Sequence, residues 1–342
     1  MRRLEEIIRA VTASGQRPRV AIAPCAEEFV LRAGLAAARE GLAVPLFIGK
    51  RERAREIARA LCGDFGDFEF LDCEDDDAAV ALAVECFRSG RAELIMKGLV
   101  PTATLLKAVL AKDAGLVPPG GILSHVTVFD APNSAPNSAP NTAPGREACG
   151  IINREAGLML LTDAGVNIRP TLQRKADILK NALAVARTLG IERPRAALLA
   201  ATEKVNYPAM PATLDADILA KMAEGGEFGD ARVAGPLALD LAVSPKAAAM
   251  KGVDNPVAGH ADILLTPDIE SGNILYKTLS SFMNLTLASV VVGSRVPVVV
   301  PSRGDSEQCK FASIALAAFL AQQGAQQRQA AQQAAQETGV KS

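Results

Sequence analysis

The chain has 342 residues, 49% of them hydrophobic and 22% charged, as expected for a folded globular protein long enough for two domains. A formal net charge of -1 provides no extended basic surface, so we do not expect nucleic acid as a partner. The richest apolar stretch, residues 289–300, contains Arg295 and Pro297 and is shorter than the roughly 20 residues that cross a bilayer. We therefore expect a soluble, cytoplasmic protein with no membrane partner.

Metal, thiol and common nucleotide chemistry have little support in the sequence. Six cysteines form no C-x-x-C pair, and only two histidines, His125 and His260, could join them, so we expect no metal ion. We interpret the cysteines as small buried hydrophobes in a reducing compartment. They stand at positions 25, 62, 73, 86, 149 and 309. The chain has no P-loop, G-x-G-x-x-G, G-x-S-x-G or H-E-x-x-H motif.

After an amphipathic first helix, short β-rich runs alternate with longer helical patterns, which is typical of βαβ units and a mainly parallel sheet. The predicted strands are residues 19–24, 44–49, 68–73, 94–96, 122–129, 158–162, 196–200, 231–234, 263–266, 289–292 and 296–300. The predicted helices are residues 26–40, 51–62, 75–89, 102–112, 171–190, 212–224, 272–284 and 305–322. Ligands of such sheets bind beyond the carboxyl ends of the strands, so we expect the site in loops that follow strands.

One segment interrupts this alternation. Residues 131–145 read APNSAPNSAPNTAPG, which is too rich in proline and asparagine for a strand or helix. We predict an exposed loop inserted between two strands. The residues after Leu320 are rich in glutamine and alanine, and they either extend the last helix or fray.

The first candidate site element is LIMKGLVPTATLLKAVL, residues 94–110. Its strand delivers Lys97, Thr102 opens the helix that follows, and that helix carries Lys107. A cation and a hydroxyl at a helix start suit an anion, because the free main-chain N–H groups there attract negative charge. We predict all three as substrate-binding residues. Lys107 has the alternative of a solvent-exposed position on the helix surface.

The second candidate element is ADILLTPDIESGNILYKTLSSF, residues 261–282, which follows the same pattern. A strand leads into a helix start at Gly272 and Asn273, with Lys277 about one turn further on. We predict these three as substrate-binding residues. The acids Asp268 and Glu270, just before them, have the alternative of ordinary loop acids that favour the positive end of the following helix.

The third candidate element is VPVVVPSRGDSEQCKFASIALAAFL, residues 296–320. Ser302 and Arg303 stand where a strand ends and a helix begins. A hydroxyl, a guanidinium and free N–H groups together make an oxyanion or phosphate site, so we predict Ser302, Arg303 and Asp305 as catalytic residues. The alternative for Asp305 is that it caps the helix, with Gln308 completing a capping box.

These elements resemble the phosphate acetyltransferase and phosphate butyryltransferase family. The matching blocks are MKG with PTATLLKAVL, GILSHVTVF, LMLLTDAGVNIRP, AGPLALD, PVAGHADILLTPDIESGNILYKTL and VPVVVPSRGDS. They cover roughly residues 94–318 apart from the repeat, and the last two blocks are quite specific. MKG and SRGDS are closer to the butyryltransferase branch.

The resemblance implies the architecture. It implies two α/β/α domains with mainly parallel sheets and a cleft between them, as in the isocitrate and isopropylmalate dehydrogenase-like fold, and a homodimer. We place the first domain at residues 1–130 and 290–330 and the second at residues 146–289. The inserted loop occupies residues 131–145, and a polar tail occupies residues 331–342.

The resemblance also implies the reaction. A short-chain acyl-CoA and inorganic phosphate are converted reversibly into acyl phosphate and coenzyme A by direct transfer, with no metal or redox cofactor. Ser302 and Arg303 match active-site residues that bind phosphate and stabilise the transition state. Lys107 matches a further anion contact.

The general base and two other functions stay open. The acetyltransferase branch has an acidic residue, its proposed base, where this chain has Cys309, which leaves Asp305 and Glu307 as the nearest candidates. A metal- and NAD-dependent decarboxylating dehydrogenase of the same fold would need an aspartate cluster and an NAD pocket, and the sequence assembles neither. A non-catalytic acyl-CoA-binding protein is favoured only by Cys309.

Overall fold

The computed structural model describes residues 1–61, 68–132, 157–302 and 304–337, and its chain forms two compact units. The first unit consists of Ile7–Gly121 and the described residues from Ala288 onward. The second consists of Met1–Glu6 and the described residues of Ile122–Leu287. The domain divisions predicted from the sequence fall after residues 130 and 289. From residue 133 on, the predicted inserted loop lies outside the described residues.

All eleven predicted strands are present, with ends that move by at most three residues. In chain order they are β1 (Arg19–Ala23), β2 (Val44–Gly49), β3 (Phe70–Asp72), β4 (Leu94–Lys97), β5 (Ser124–Asp130), β6 (Leu158–Thr162), β7 (Arg195–Leu199), β8 (Arg232–Leu237), β9 (Ile263–Leu265), β10 (Ala288–Val292) and β11 (Val298–Val299). The eight predicted helices and the amphipathic first helix are also present.

The α-helices of the described residues are α1 (Leu4–Ala13), α2 (Glu28–Arg39), α3 (Arg51–Leu61), α4 (Asp76–Arg88), α5 (Thr102–Leu110), α6 (Leu172–Thr188), α7 (Pro211–Glu224), α8 (Leu239–Val243), α9 (Pro245–Lys251), α10 (Ile269–Lys277) and α11 (Glu307–Glu337). A 3-10 helix at Lys112–Ala114 follows α5, and a π-helix at Thr278–Phe282 follows α10. The glutamine- and alanine-rich residues extend α11 as far as Glu337. None of the helices formed by the described residues has both the length and the apolar character that crossing a membrane requires.

Helices α8 and α9 were not predicted from the sequence, because they are too short to show a helical period. The start of α9 is marked by Ser244, whose hydroxyl accepts a hydrogen bond from the N–H of Ala247 at 3.2 Å, and by Pro245 in the first turn. Gly252 ends the helix with a positive φ of 67°. The Ser-Pro start and the glycine end are the signals that could have identified this helix.

The sheet of the first unit has the strand order β3-β2-β1-β4-β11-β10. Its pairs are parallel except β10 with β11, which is antiparallel. Ala23 of β1 pairs with Lys97 of β4, and Met96 of β4 pairs with Val299 of β11. The loops that follow β1, β4 and β11 therefore leave the sheet at the same edge. These strands are almost wholly buried, as expected for parallel strands covered by helices.

The sheet of the second unit has the strand order β5-β6-β9-β7-β8. Its pairs are parallel except β5 with β6, which is antiparallel. Thr162 of β6 pairs with Leu265 of β9, so the loops that begin at Asp163 and Thr266 also leave from one edge. Both units are mainly parallel sheets with α-helices, which confirms the predicted α/β fold class.

Candidate active site

Two predicted site residues lie at or just after the carboxyl ends of neighbouring parallel strands of the first unit. Lys97 ends β4, and Ser302 follows the end of β11. Lys97 is buried, with 8% of its surface exposed, and Ser302 is half-buried. The fold therefore brings a cation and a hydroxyl to the edge of the sheet where ligands of α/β folds bind. Arg303, predicted beside Ser302, lies outside the described residues.

Asp305 holds the main chain of Ser302. Its Oδ2 accepts a hydrogen bond from the Ser302 N–H at 2.8 Å, and its own N–H donates to the Ser302 carbonyl oxygen at 3.1 Å. The alternative that Asp305 caps α11 is wrong. Ser306 stands at the capping position, and its hydroxyl accepts a hydrogen bond from the N–H of Cys309 at 3.1 Å.

Lys310, which the sequence analysis did not select, reaches the same turn. Its Nζ donates to the carbonyl oxygen of Asp305 at 2.5 Å, and the side chain is 4% exposed. The ammonium also lies 5.1 Å from the centre of the Phe29 ring, a cation–π distance. The other candidate base, Glu307, is exposed and lies 3.5 Å from Nε of Arg32. Of the two carboxylates near this turn, that of Asp305 is therefore buried and that of Glu307 is exposed.

Lys97 is held by the loop that follows β4. Its Nζ donates to the carbonyl oxygens of Gly98 at 3.0 Å and Val100 at 2.9 Å. These bonds compensate for the cost of burying the ammonium, because charged groups are stable inside proteins only when they have polar partners. They also fix the ammonium close to the strand end.

Thr102 and Lys107 lie on α5, as the sequence predicts. Thr102 begins the helix and is half-buried, whereas Lys107 lies in its last turn and is exposed. A lysine in the last turn also stabilises the helix dipole, so Lys107 has a structural role in addition to the predicted anion contact.

In the second unit, Asp163 organises the loop that follows β6. Its carboxylate accepts hydrogen bonds from the N–H groups of Gly165 and Val166 at 2.9 Å each, and from that of Asn167 at 3.3 Å. The side-chain amide of Asn167 donates to the same carboxylate at 2.6 Å. This segment, LMLLTDAGVNIRP, was not predicted as part of the site and contributed only to the family resemblance. The acid followed by glycine and asparagine after a buried strand was the available signal.

Helix α10 packs directly on this loop. A Cβ at Gly272 would lie 2.5 Å from the carbonyl oxygen of Asp163 and 2.8 Å from Oγ1 of Thr266, so only glycine fits. The side-chain amide of Asn273 donates to the carbonyl oxygen of Ala164 at 3.3 Å. The helix begins at Ile269, earlier than the predicted start at residue 272. Gly272 and Asn273 therefore hold α10 against the loop.

Asp268 caps α10, in agreement with the alternative that it is a loop acid at the positive end of this helix. Its carboxylate accepts hydrogen bonds from the N–H of Ser271 at 2.9 Å and from the Ser271 hydroxyl at 2.7 Å. Burial acts to raise the pKa of Asp268, but the hydrogen bonds from Ser271 and the positive charges of Lys175 and Arg169 together outweigh it, and the pKa lies below the usual 3.8. Further along the helix, Nζ of Lys277 lies 4.9 Å from the centre of the Tyr276 ring.

The cysteines within the described residues are mostly buried. Cys25, Cys86 and Cys309 are buried and Cys73 is intermediate, whereas Cys62 and Cys149 fall outside the described residues. Burial raises the pKa of the Cys25 thiol from 9.0 to about 12, and burial also raises the pKa of Cys86. Such thiols stay protonated and unreactive at neutral pH.

Among the described residues, no group of three or more acids, cysteines and histidines is arranged to hold a metal ion.

The family model described as Phosphate acetyl/butaryl transferase matches residues 76–318. The chain belongs to this family. It is 40% identical to the phosphate butyryltransferase of Clostridium acetobutylicum over 92% of this chain and 97% of the relative. It is 36% identical to the phosphate acetyltransferase of Thermotoga maritima over 93% of this chain and 99% of the relative. The crystal structure of a branched-chain phosphotransacylase from Enterococcus faecalis V583 is similar, with a TM-score of 0.71, 33% identity, and coverage of 89% of this chain and 99% of that one.

The family match confirms the resemblance stated from the sequence, and it begins before the first block recognised there. Residues 76–318 contain both the turn at Ser302 and the loop at Asp163.

Proposed function

We propose that this protein is a phosphate acyltransferase, which converts a short-chain acyl-CoA and inorganic phosphate reversibly into acyl phosphate and coenzyme A. The observation that carries the proposal is the family match over residues 76–318. Relatives named phosphate butyryltransferase and phosphate acetyltransferase, at 40% and 36% identity over nearly their whole length, support the same chemistry.

We assign phosphate binding to the turn after β11 and the loop after β4. A guanidinium at Arg303 can meet a phosphate dianion with two parallel hydrogen bonds. Lys97 and Thr102 belong to the neighbouring strand-end loop and its helix, and Lys107 is the more distant cation of that helix. Charge neutralisation by these groups would keep phosphate in place without a metal ion.

The proposed transfer is a direct displacement at the acyl carbonyl. A phosphate oxygen attacks the thioester carbon, the C–S bond breaks, and coenzyme A leaves as a thiolate that takes up a proton. In the reverse direction the thiolate attacks acyl phosphate and phosphate leaves. The Ser302 hydroxyl donates a hydrogen bond to the carbonyl oxygen as it gains charge, which stabilises the transition state more than the ground state.

The predicted residues of α10 contribute in a different way. Because Gly272 and Asn273 contact the loop at Asp163, we propose that they act by holding that loop and not by touching substrate. Lys277 is half-buried and is kept as a proposed contact for an anionic part of the substrate.

We also propose that the enzyme is a cytoplasmic homodimer that uses the second unit. Apolar side chains of α10 and its neighbourhood are unusually exposed, with Ile274 at 69%, Phe282 at 88% and Ile168 at 68%. Ile168 adjoins α10, because its carbonyl oxygen accepts the N–H of Ile269 at 3.0 Å. Exposed apolar groups of this kind mark protein interfaces. A monomer at micromolar concentration in analytical ultracentrifugation would contradict the dimer.

A panel of acyl-CoA esters tests the function. Acetyl-, propionyl-, butyryl- and longer esters are incubated with and without phosphate, and both thiol release and trapped acyl phosphate are measured. The proposal expects phosphate-dependent release of thiol and acyl phosphate in equal amounts. Reduction of added NAD would instead indicate a dehydrogenase. Ester binding without thiol release would indicate a non-catalytic binding protein.

A further inference from the structure

Two buried charged side chains connect the turn at Ser302 to the helices behind it. Asp305 is 9% exposed and Lys310 is 4% exposed. Burying a carboxylate and an ammonium is costly unless each has polar partners, so their contacts indicate what the charges do.

The contacts of Asp305 fix the main chain of Ser302. Oδ2 of Asp305 accepts the Ser302 N–H at 2.8 Å, and the Asp305 N–H donates back to the Ser302 carbonyl oxygen at 3.1 Å. Two bonds in opposite directions close the turn and leave its first residue little rotational freedom. The direction in which the Ser302 side chain leaves the main chain is set by these bonds.

The contacts of Lys310 hold Asp305 in turn. Its Nζ donates to the Asp305 carbonyl oxygen at 2.5 Å, while its own N–H donates to the Ser306 carbonyl oxygen at 3.1 Å within the first turn of α11. The ammonium lies 5.1 Å from the centre of the Phe29 ring on α2. Lys310 therefore links two helices of the first unit to the turn.

We propose that Asp305 and Lys310 are positioning residues for Ser302, and that Asp305 is not the general base of the transfer. A general base must reach the proton that it removes, within about 3.2 Å or through one water. Oδ2 of Asp305 instead accepts the main-chain N–H of Ser302, and the side chain is buried, with 9% of its surface exposed. The proposal rests on the proposed acyl transfer at Ser302.

The comparison of Asp305→Asn with Asp305→Ala separates the two roles. Asparagine keeps an oxygen that can accept the Ser302 N–H but cannot take up a proton at neutral pH, whereas alanine loses both functions. A positioning role predicts that Asp305→Asn keeps kcat within about tenfold of wild type, with an unchanged pH profile of kcat/KM. It predicts that Asp305→Ala loses about a further 100-fold in kcat, because the reacting hydroxyl is misplaced.

Lys310 provides a second, independent measurement. Lys310→Met removes the ammonium but keeps an unbranched chain, and we expect a fall in kcat of about 10-fold or more with little change in the KM for acyl-CoA. Lys310→Arg restores a cationic donor and should recover much of the lost kcat. Lys112→Met, at an exposed lysine of the same unit, is the matched control and should behave as wild type.

The proposal is overturned if Asp305→Asn is folded and loses as much kcat as Asp305→Ala, because a base role predicts that result. If Asp305→Ala does not fold, the kcat of Asp305→Asn is compared with that of wild type, and a fall well beyond about tenfold overturns the proposal. Wild-type kcat in Lys310→Met would remove Lys310 from the proposal. The proposed function fails by a different result, namely no phosphate-dependent release of thiol from any acyl-CoA ester by the wild-type protein.

Discussion

The main-chain N–H of Gly98 donates to the carbonyl oxygen of Ala23 at 2.8 Å and holds the end of β4 against the end of β1. A side chain at Gly98 would overlap the carbonyl oxygen of Pro24, which is main chain and cannot rotate away. The loop that carries Lys97 therefore depends on glycine at this position.

We expect Gly98→Ala to lower the free energy of unfolding by about 1–3 kcal/mol or more, because the main chain must shift to admit the methyl group. Gly324→Ala is the matched control. It lies inside α11, where the nearest atom to the new Cβ is Nη1 of Arg328 at 3.4 Å. This control should gain about 0.5–1 kcal/mol, since alanine is the better helix former. Denaturant unfolding of both variants measures the difference, and equal effects would contradict the crowding at Gly98.

Asp268→Ala should destabilise the protein in a pH-dependent way. The folded-state pKa of Asp268 lies below the usual 3.8, so the stabilisation by this carboxylate is present above that value and is lost as the pH falls through the folded pKa. At pH 7 the variant should lose about 0.5–2 kcal/mol, as for other helix caps. The deficit should shrink towards the acidic end of a series of unfolding curves. Asp268→Asn, which keeps an acceptor for the Ser271 N–H, should lose less. A deficit that is constant down to the lowest pH would contradict the charged cap.

Cys25 should resist alkylation in the folded protein. Burial raises its pKa to about 12, so the thiolate is almost absent at pH 8. Cys73, which is partly exposed, is the internal comparison. Peptide mass spectrometry after brief exposure to iodoacetamide should find Cys73 modified and Cys25 unmodified, and both modified in denaturant. Equal labelling of the two thiols without denaturant would show that Cys25 is accessible.

Arg303→Lys should weaken catalysis while leaving folding almost unchanged. Lysine keeps the positive charge but loses the planar fork that binds two phosphate oxygens. We expect kcat/KM for phosphate to fall by about 10- to 1000-fold, which corresponds to about 1.4–4 kcal/mol. Arg295→Lys, at an exposed arginine of the same unit, is the matched control and should be neutral. Equal kcat/KM values in the two variants would remove Arg303 from the phosphate site.

The order of strands and helices could be predicted from sequence because each strand of these sheets is a short buried apolar run. The residues after such runs, Lys97 and Ser302, could be placed at a strand end for the same reason. The family could be recognised from blocks near these positions. What could not be predicted is which of several polar residues in a turn takes which role.

Asp305 and Ser306 show this limit. Both residue types cap helices, and a shift of one position decides whether Asp305 caps α11 or bonds back to Ser302. Gly272 shows it too, since the sequence indicates only a glycine at a helix start, and only the fold shows that this glycine packs closely on the Asp163 loop. In the sequence, Lys310 is a lysine near the start of a helix, where a solvent-exposed side chain is the usual expectation, and only the fold shows that it is buried.

The most direct test of the central claim is the kcat of Ser302→Ala in phosphate-dependent release of coenzyme A from the best acyl-CoA substrate. A hydroxyl aimed at a developing oxyanion acts chiefly in the transition state, so we expect kcat to fall by about 100- to 1000-fold with little change in KM. Ser89→Ala, at an exposed hydroxyl of the same unit, should keep wild-type kcat. If Ser302→Ala also keeps wild-type kcat, the turn after β11 is not the place of acyl transfer.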